Sequence, residues 1–244
     1  MPKTVLILGA GSDIAAATAS KFASEGNNIQ LAARNTNRLQ PLQSDLNIRY
    51  NVSCSLYDFD ASQFEGHERF WEALNPKPDI TIYFIGYMNE NEIVAASLDE
   101  TLKTINTNFT GAVSILNIVA SVYAQQQHGI IVGVSSVAGI RGRQSNYIYG
   151  AAKAGFTAYL SGLRNSLFHK KVHVMTVLPG FVYTKMTDHL NLPKLLTAQP
   201  NEVATAIYKG IQNKKNRLYV KWFWRWIMLI ITLIPESMFK KLKL

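Results

Sequence analysis

The chain has 244 residues, 48% of them hydrophobic, enough to bury the core of one α/β domain. Its one cysteine, Cys54, excludes an internal disulfide framework and fits a reducing, cytoplasmic compartment. The net charge of +9 is lopsided: from Lys209 to Leu244 nine Lys/Arg face one acid, a net +8, whereas the residues before hold 16 bases and 15 acids, a net +1. A neutral body with a basic tail argues against a nucleic-acid groove and for a local partner of the tail.

Apolar runs alternate with helical patterns up to about residue 221. The patterning predicts strands at Val5–Leu8, Asn28–Ala32, Asn51–Leu56, Ile80–Ile85, Gly129–Val134, Val172–Leu178 and Arg217–Val220. Helices are predicted near Asp13–Glu25, Arg34–Leu42, Ala61–Leu74, Leu98–Gln127, Tyr147–Phe168 and Pro200–Gln212. The strands are short, continuous and rich in Val, Ile and Leu, as strands covered on both faces should be. Such alternation predicts a Rossmann-type doubly wound parallel sheet of about seven strands with helices on both faces. One domain, residues 1–221, is expected, followed by an apolar and basic helical tail, residues 222–244. No cationic segment with an apolar run and cleavage site precedes the first strand, so no secretory signal is expected.

The first strand runs into LGAGSDIA, Leu8 to Ala15, at the start of an Ala-rich helix. Gly9, Gly11, Ser12, Asp13 and Ile14 thus form a turn whose main-chain N–H groups could face a pyrophosphate. The strict G-x-G-x-x-G pattern is broken, because Ile14 stands where its last glycine would fall. Asp13 is expected to cap the first helix. Beyond the second strand, where an NAD enzyme usually carries a carboxylate, the chain has Ala33 and Arg34, and an arginine can pair a 2′-phosphate. NADP(H) is therefore expected over NAD(H), with Arg38 one turn further on.

Ser136 follows the fifth apolar run, and Tyr149 and Lys153 lie four residues apart on the next predicted helix. That spacing puts phenol and ammonium on one face, where the cation should lower the phenol pKa toward the range useful for proton transfer. A strand-end hydroxyl and this pair could converge on one carbonyl oxygen. No metal site is expected.

The Gly-rich turn, Asn108, Ser136, the Tyr149/Lys153 pair and PGFVYT (Pro179 to Thr184) occur in the order and spacing of the short-chain dehydrogenase/reductase family, which the chain resembles over residues 4–221. The resemblance implies a general acid/base role for Tyr149, with Lys153 tuning it and holding the nicotinamide ribose. It implies that Ser136 orients the carbonyl oxygen and that Asn108 holds a water in a proton relay. Pro179 and Gly180 would line the cofactor, Val182 would present backbone to the carboxamide and Thr184 would reach the pyrophosphate, with Asp60 and Ala61 at the adenine; Asp58 is a competing alignment for Asp60. After the fourth strand the family's Asn-Asn-Ala-Gly is replaced by YFIG, Tyr83 to Gly86, which keeps only Gly86.

The stretch AGIRGRQSNYIY, Ala138 to Tyr149, together with IPESMFKKL from Ile234, resembles the decaprenylphosphoryl-2-keto-ribose reductase group. That resemblance implies reduction of a lipid-linked keto sugar, the second step of an epimerisation begun by a partner oxidase. Arg141 and Arg143, between the two catalytic elements, could hold an anionic substrate group. The tail offers thirteen residues with one charge, Trp222 to Ile234, too few to span a bilayer. Three tryptophans and flanking bases (Lys214, Lys215, Arg217 and Lys221 before; Lys240, Lys241 and Lys243 after) suit a membrane surface, a lid on the substrate pocket or a subunit interface. A homo-oligomer through the helices near 98–127 and 147–168 is expected from the family. The alternatives are a reductase of a soluble carbonyl, such as a 3-oxoacyl thioester or steroid-like alcohol, and a non-catalytic NADP-binding scaffold.

Overall fold

A computed structural model describes residues 2–185, 187 and 193–242; Lys243 lies outside them. The seven predicted strands form one parallel sheet in the order β3-β2-β1-β4-β5-β6-β9. Their ranges are β1 Thr4–Leu8, β2 Asn28–Ala33, β3 Cys54–Asp58, β4 Ile80–Tyr83, β5 Ile130–Val134, β6 His173–Pro179 and β9 Arg217–Val220. The sheet winds outward from β1 in both directions, so the strand order reverses between β1 and β4, and a crevice opens beyond their carboxyl ends. A pair of two-residue strands, β7 (Phe181–Val182) and β8 (Thr197–Ala198), was not legible in the apolar pattern.

Helices cover both faces. On one side α1 (Asp13–Ser24), α2 (Gln40–Tyr50) and α8 (Pro200–Gln212) enclose a core containing Val5, Ile7, Phe22, Leu31, Ile82, Val203 and Ile207. On the other, α3 (His67–Ala73), α6 (Gly111–Gln126) and α7 (Tyr147–Leu167) enclose Leu6, Leu8, Trp71, Tyr83, Ile115, Phe156 and Leu160. Alternate residues of β1 supply opposite cores, as the period-two pleat requires. Two short helices, α4 (Asn91–Ala96) and α5 (Leu98–Ile105), lead into α6, with Asn106–Thr110 forming a π-turn between α5 and α6.

Two predicted helices are displaced. The one placed at Arg34–Leu42 is a 3₁₀ turn, Thr36–Leu39, followed by α2 ending at Tyr50. Pro41 occupies the first turn of α2, where its missing N–H costs no hydrogen bond, and Asn51 (φ 52°) ends the helix in the left-handed region. β3 consequently starts at Cys54. The helix placed at Ala61–Leu74 shrinks to α3, because Asp60 Oδ1 accepts from both the backbone N (2.9 Å) and the Oγ (2.7 Å) of Ser62. That local turn competes with helix initiation.

Beyond Val220 the chain enters α9 (Trp224–Leu233) and, after Pro235, α10 (Glu236–Phe239). Trp224 and Met228 are buried against Val137 and Leu178. Each such burial contributes roughly 1.5–3 kcal/mol. The opposite side of α9 is open: Ile230 is 64% and Leu233 71% exposed, and Trp222, just before it, 74%. Ten residues of helix are too short to cross a bilayer.

Candidate active site

Tyr149 and Lys153 share one face of α7, and the chain reaches that face from two other elements. Ser136, at the end of β5, has an extended backbone and caps the turn Val137–Gly139, its Oγ accepting from Ala138 N at 3.1 Å. The same hydroxyl lies close enough to the Tyr149 phenol to favour its ionised form. Lys153 is 3% exposed, its Nζ donating to Val134 O (3.3 Å) and lying 5.8 Å from the Tyr149 ring centroid. Ser135 braces the lysine's helix, with Oγ 3.0 Å from Lys153 O and 2.7 Å from Thr157 Oγ1.

Asn108 enters through the π-turn, an irregularity that often marks a functional position. It is fully buried, with Nδ2 donating to Tyr87 O (2.6 Å) and Thr104 O (2.9 Å) and Oδ1 accepting from Tyr87 N (3.2 Å). Gly86 lies between Asn108 and Lys153: a Cβ there would sit 3.2 Å from Asn108 Oδ1 and 3.4 Å from Lys153 Nζ. The surviving glycine of YFIG thus keeps a narrow backbone passage between two polar side chains.

Burial reverses the expected shift of the phenol. It pushes Tyr149 up to about 12, only partly offset by the nearby Ser136 hydroxyl. It brings Lys153 down to about 8. Desolvation disfavours the charged form of each group. At neutral pH the phenol therefore holds its proton, as an acid that donates to a carbonyl oxygen must.

The nucleotide turn occupies the crevice. Gly9 has φ +88°, and a Cβ there would lie 2.8 Å from Ile85 Cγ1, so both conformation and space favour glycine. A Cβ on Gly11 would meet nothing within 4 Å, which leaves its backbone open to a ligand. Ser12 caps α1, its Oγ accepting from Ala15 N at 3.2 Å. Asp13, expected to cap, instead accepts from Lys185 N at 2.8 Å, and Lys185 Nζ is 4.0 Å away. It ties the turn to the segment after Thr184. Ile14 packs against the α1-side core at the position where a strict G-x-G-x-x-G would end in glycine.

Arg34 is exposed just past β2. Against the effect of burial, the Ser62 hydrogen bonds, with a smaller contribution from the Arg34 charge, hold the Asp60 carboxyl below its usual range. Asp58 ends β3 opposite Ala33, so Asp60, with buried Ala61 after it, is the acid beyond the strand end near Arg34. Arg38 is exposed on the 3₁₀ turn.

Pro179 ends β6, and Val182, buried, lies in β7; Thr187 Oγ1 donates to Val182 O (2.6 Å) and accepts from Thr184 N (3.2 Å). Gly180 meets the tail: a Cβ there would lie 2.0 Å from Trp224 Cε2. The indole Nε1 donates to Leu196 O at 3.1 Å. Sequence reasoning missed Tyr87, whose backbone fixes Asn108, and Trp224, whose signal was merged into the aromatic tail.

The two loop arginines do not act together. Arg141 donates through one amino nitrogen to the carbonyls of Ile231 and Ile234 (2.7 Å to the latter) and through the other to Glu236 Oε2 at 2.9 Å, and its guanidinium lies 3.7 Å from the Phe239 ring centroid. It latches α9 and α10 to the loop after Ser136. Arg143 is partly exposed, with a buried Nε that has no hydrogen-bond partner among the described residues.

Comparison with known proteins gives the fold and the family. The chain is 28% identical over 242 residues to an uncharacterized oxidoreductase of Mycobacterium tuberculosis, covering 98% of this chain and 96% of that one. It is 28% identical over 194 residues to a 3-oxoacyl-[acyl-carrier-protein] reductase of Bos taurus, covering 78% and 80%. Among solved structures, a short-chain dehydrogenase from Sphingobium yanoikuyae in complex with NADPH superposes with a TM-score of 0.83 at 25% identity, covering 97% and 98%. The short chain dehydrogenase family model matches residues 3–194, and the chain belongs to that family as an NAD(P)-dependent oxidoreductase acting between carbonyl and alcohol.

Proposed function

We propose that the protein is an NADPH-dependent reductase of a ketone carried on a lipid-linked keto sugar of the 2-keto-ribose type, working after a partner oxidase at the cytoplasmic face of a membrane. The observation carrying the reductase direction is the protonated Tyr149 phenol beside Ser136 and buried Lys153. The open backbone at Gly11, the α1 N-terminus and the Gly86 passage fit a dinucleotide, and exposed Arg34 fits a 2′-phosphate. When bound, NADPH supplies the hydride. Tyr149 gives its proton to the carbonyl oxygen, Ser136 orients that oxygen, and Lys153 holds ribose and favours the phenolate left behind. Asn108 sets the path of the backbone at Tyr87, its amide being committed to main-chain partners. Val182, Thr184, Asp60 and Ala61 are assigned to the cofactor's two ends. The division into a body, 1–221, and a membrane-facing tail, 222–244, belongs to the same reading, as does a homo-oligomer.

The lipid-linked substrate is supported by the apolar tail latched to the catalytic loop through Arg141. That same latch favours a second reading, since it leaves the Arg141 guanidinium engaged by protein rather than by an anionic substrate. A soluble carbonyl, such as the 3-oxoacyl thioester of the bovine relative, is then the substrate. Purified enzyme with NADPH is offered a polyprenyl-phosphate keto sugar and an acetoacetyl thioester. Turnover of the first supports the proposal, and turnover of the thioester alone overturns it.

A further inference from the structure

A second concavity, of about 460 Å³, lies between β9, α9 and Ile140. None of its lining residues belongs to the group converging on Tyr149. Its walls carry two guanidinium groups, Arg217 and Arg225, with Tyr219 and Thr232, and an apolar side made by Met228 and Leu229. No carboxylate lines it, and among the described residues neither arginine has an ion-pair partner. A third guanidinium stands behind them. Arg164 donates to Thr176 Oγ1 at 2.7 Å, and Thr176 is the sheet partner of Arg217.

Arg217 and Arg225 on one wall, with Arg164 behind Arg217, have no counterion among the described residues, and an anion entering the concavity relieves their repulsion. Guanidinium donors match phosphate oxygens in pairs, and the apolar wall excludes a freely hydrated ion as the best fit. The concavity also runs into the open side of α9, where Trp226 and Leu229 are both lining residues and exposed. We infer that this is a seat for the phosphate of an anionic membrane lipid, with its chain along Trp226 and Leu229. The inference rests on the reading that the tail lies at a membrane and adds the headgroup chemistry.

The test uses the full-length protein in flotation with vesicles of phosphatidylcholine alone and of phosphatidylcholine mixed with phosphatidylglycerol. Each base near an anionic leaflet is worth a factor of about five in binding. The double variant Arg217→Gln/Arg225→Gln should therefore bind the mixed vesicles about 25-fold more weakly or worse, with NADPH binding unchanged. A charge-matched control, Lys214→Gln/Lys215→Gln, removes two exposed bases outside the concavity and should lose clearly less. Equal losses from both pairs overturn the seat in favour of diffuse attraction. Equal wild-type binding to both vesicle types overturns it in favour of the apolar face alone. Release of the protein by inorganic phosphate, at a concentration matching the lipid phosphate, makes it a free-phosphate site. A dimer that dissociates on the arginine substitutions makes the patch a contact between copies. Absence of flotation in every case overturns the seat and the membrane reading together, whereas the keto-sugar assay remains an independent measurement.

Discussion

Replacing Arg141 by alanine removes a side chain that holds both ends of the α9–α10 junction. The Glu236 carboxylate is on a side chain 77% exposed, so that ion pair contributes little after solvent screening. The two carbonyl bonds, from Ile231 and Ile234, are charge-assisted, at about 1.5–3 kcal/mol each, and the Phe239 stack adds about 0.5–2 kcal/mol. Both carbonyls lie at the end of α9, where water can replace part of the loss. A net cost of about 3 kcal/mol falls on tail docking rather than on the sheet, a shift of about 150-fold in the local opening equilibrium. Hydrogen exchange should then show amides of Trp224–Phe239 exchanging about two orders of magnitude faster, with β1, β4 and β5 unchanged. Arg141→Lys keeps the charge but loses the planar fork and should fall between. Unaltered tail protection in Arg141→Ala would refute the latch. If KM for an anionic substrate rose in that same variant, the arginine would face the substrate, as its place in the loop first suggested.

Tyr149→Phe removes the proton donor and should lower kcat by at least about 10²-fold while NADPH still quenches tryptophan fluorescence; an unchanged kcat contradicts the acid assignment. Lys153 has a folded pKa near 8 against an ordinary value of 10.5, so between those pH values the unfolded chain binds more protons and stability rises with pH. The Tm difference between wild type and Lys153→Met should therefore move in favour of wild type from pH 8 toward pH 10; a constant difference argues against a desolvated ammonium. Arg34→Asp should raise KM for NADPH at least about tenfold more than KM for NADH, and parallel changes would remove the arginine from the phosphate site. Gly180→Ala drives a methyl into the Trp224 indole and should cost about 1–3 kcal/mol in denaturant unfolding; the cost should largely vanish in a Trp224→Leu background.

Most of the architecture was legible because buried parallel strands write themselves as short Val/Ile/Leu runs, and Arg217–Val220 was placed to the residue. The misses have local causes. The helix expected at Arg34–Leu42 begins only at Gln40, with Pro41 in its first turn, and the Asp60–Ser62 turn held back α3. Ser136, Tyr149 and Lys153 converge as their spacing implied, since a helix face and a strand end are geometry that sequence separation encodes. The phenol's shift was not encoded in spacing at all. It depends on how much water the surrounding chain excludes, which no pair of residues reports. Arg141 shows the same limit from another side: proximity in sequence to Tyr149 suggested substrate, whereas its partners lie ninety or more residues away in the tail.

The contact between Trp224 and Gly180 gives the carboxyl-terminal segment a practical standing of its own. Shortening the chain at Lys221 to suppress aggregation would uncover Val137 and Leu178 and strip the indole from the bend beside β7, replacing one sticky surface by another. Better-behaved material should come from polar substitutions at Trp222, Ile230 and Leu233, which face away from that seam. An affinity handle is better carried at the amino end, where Pro2 and Lys3 are exposed.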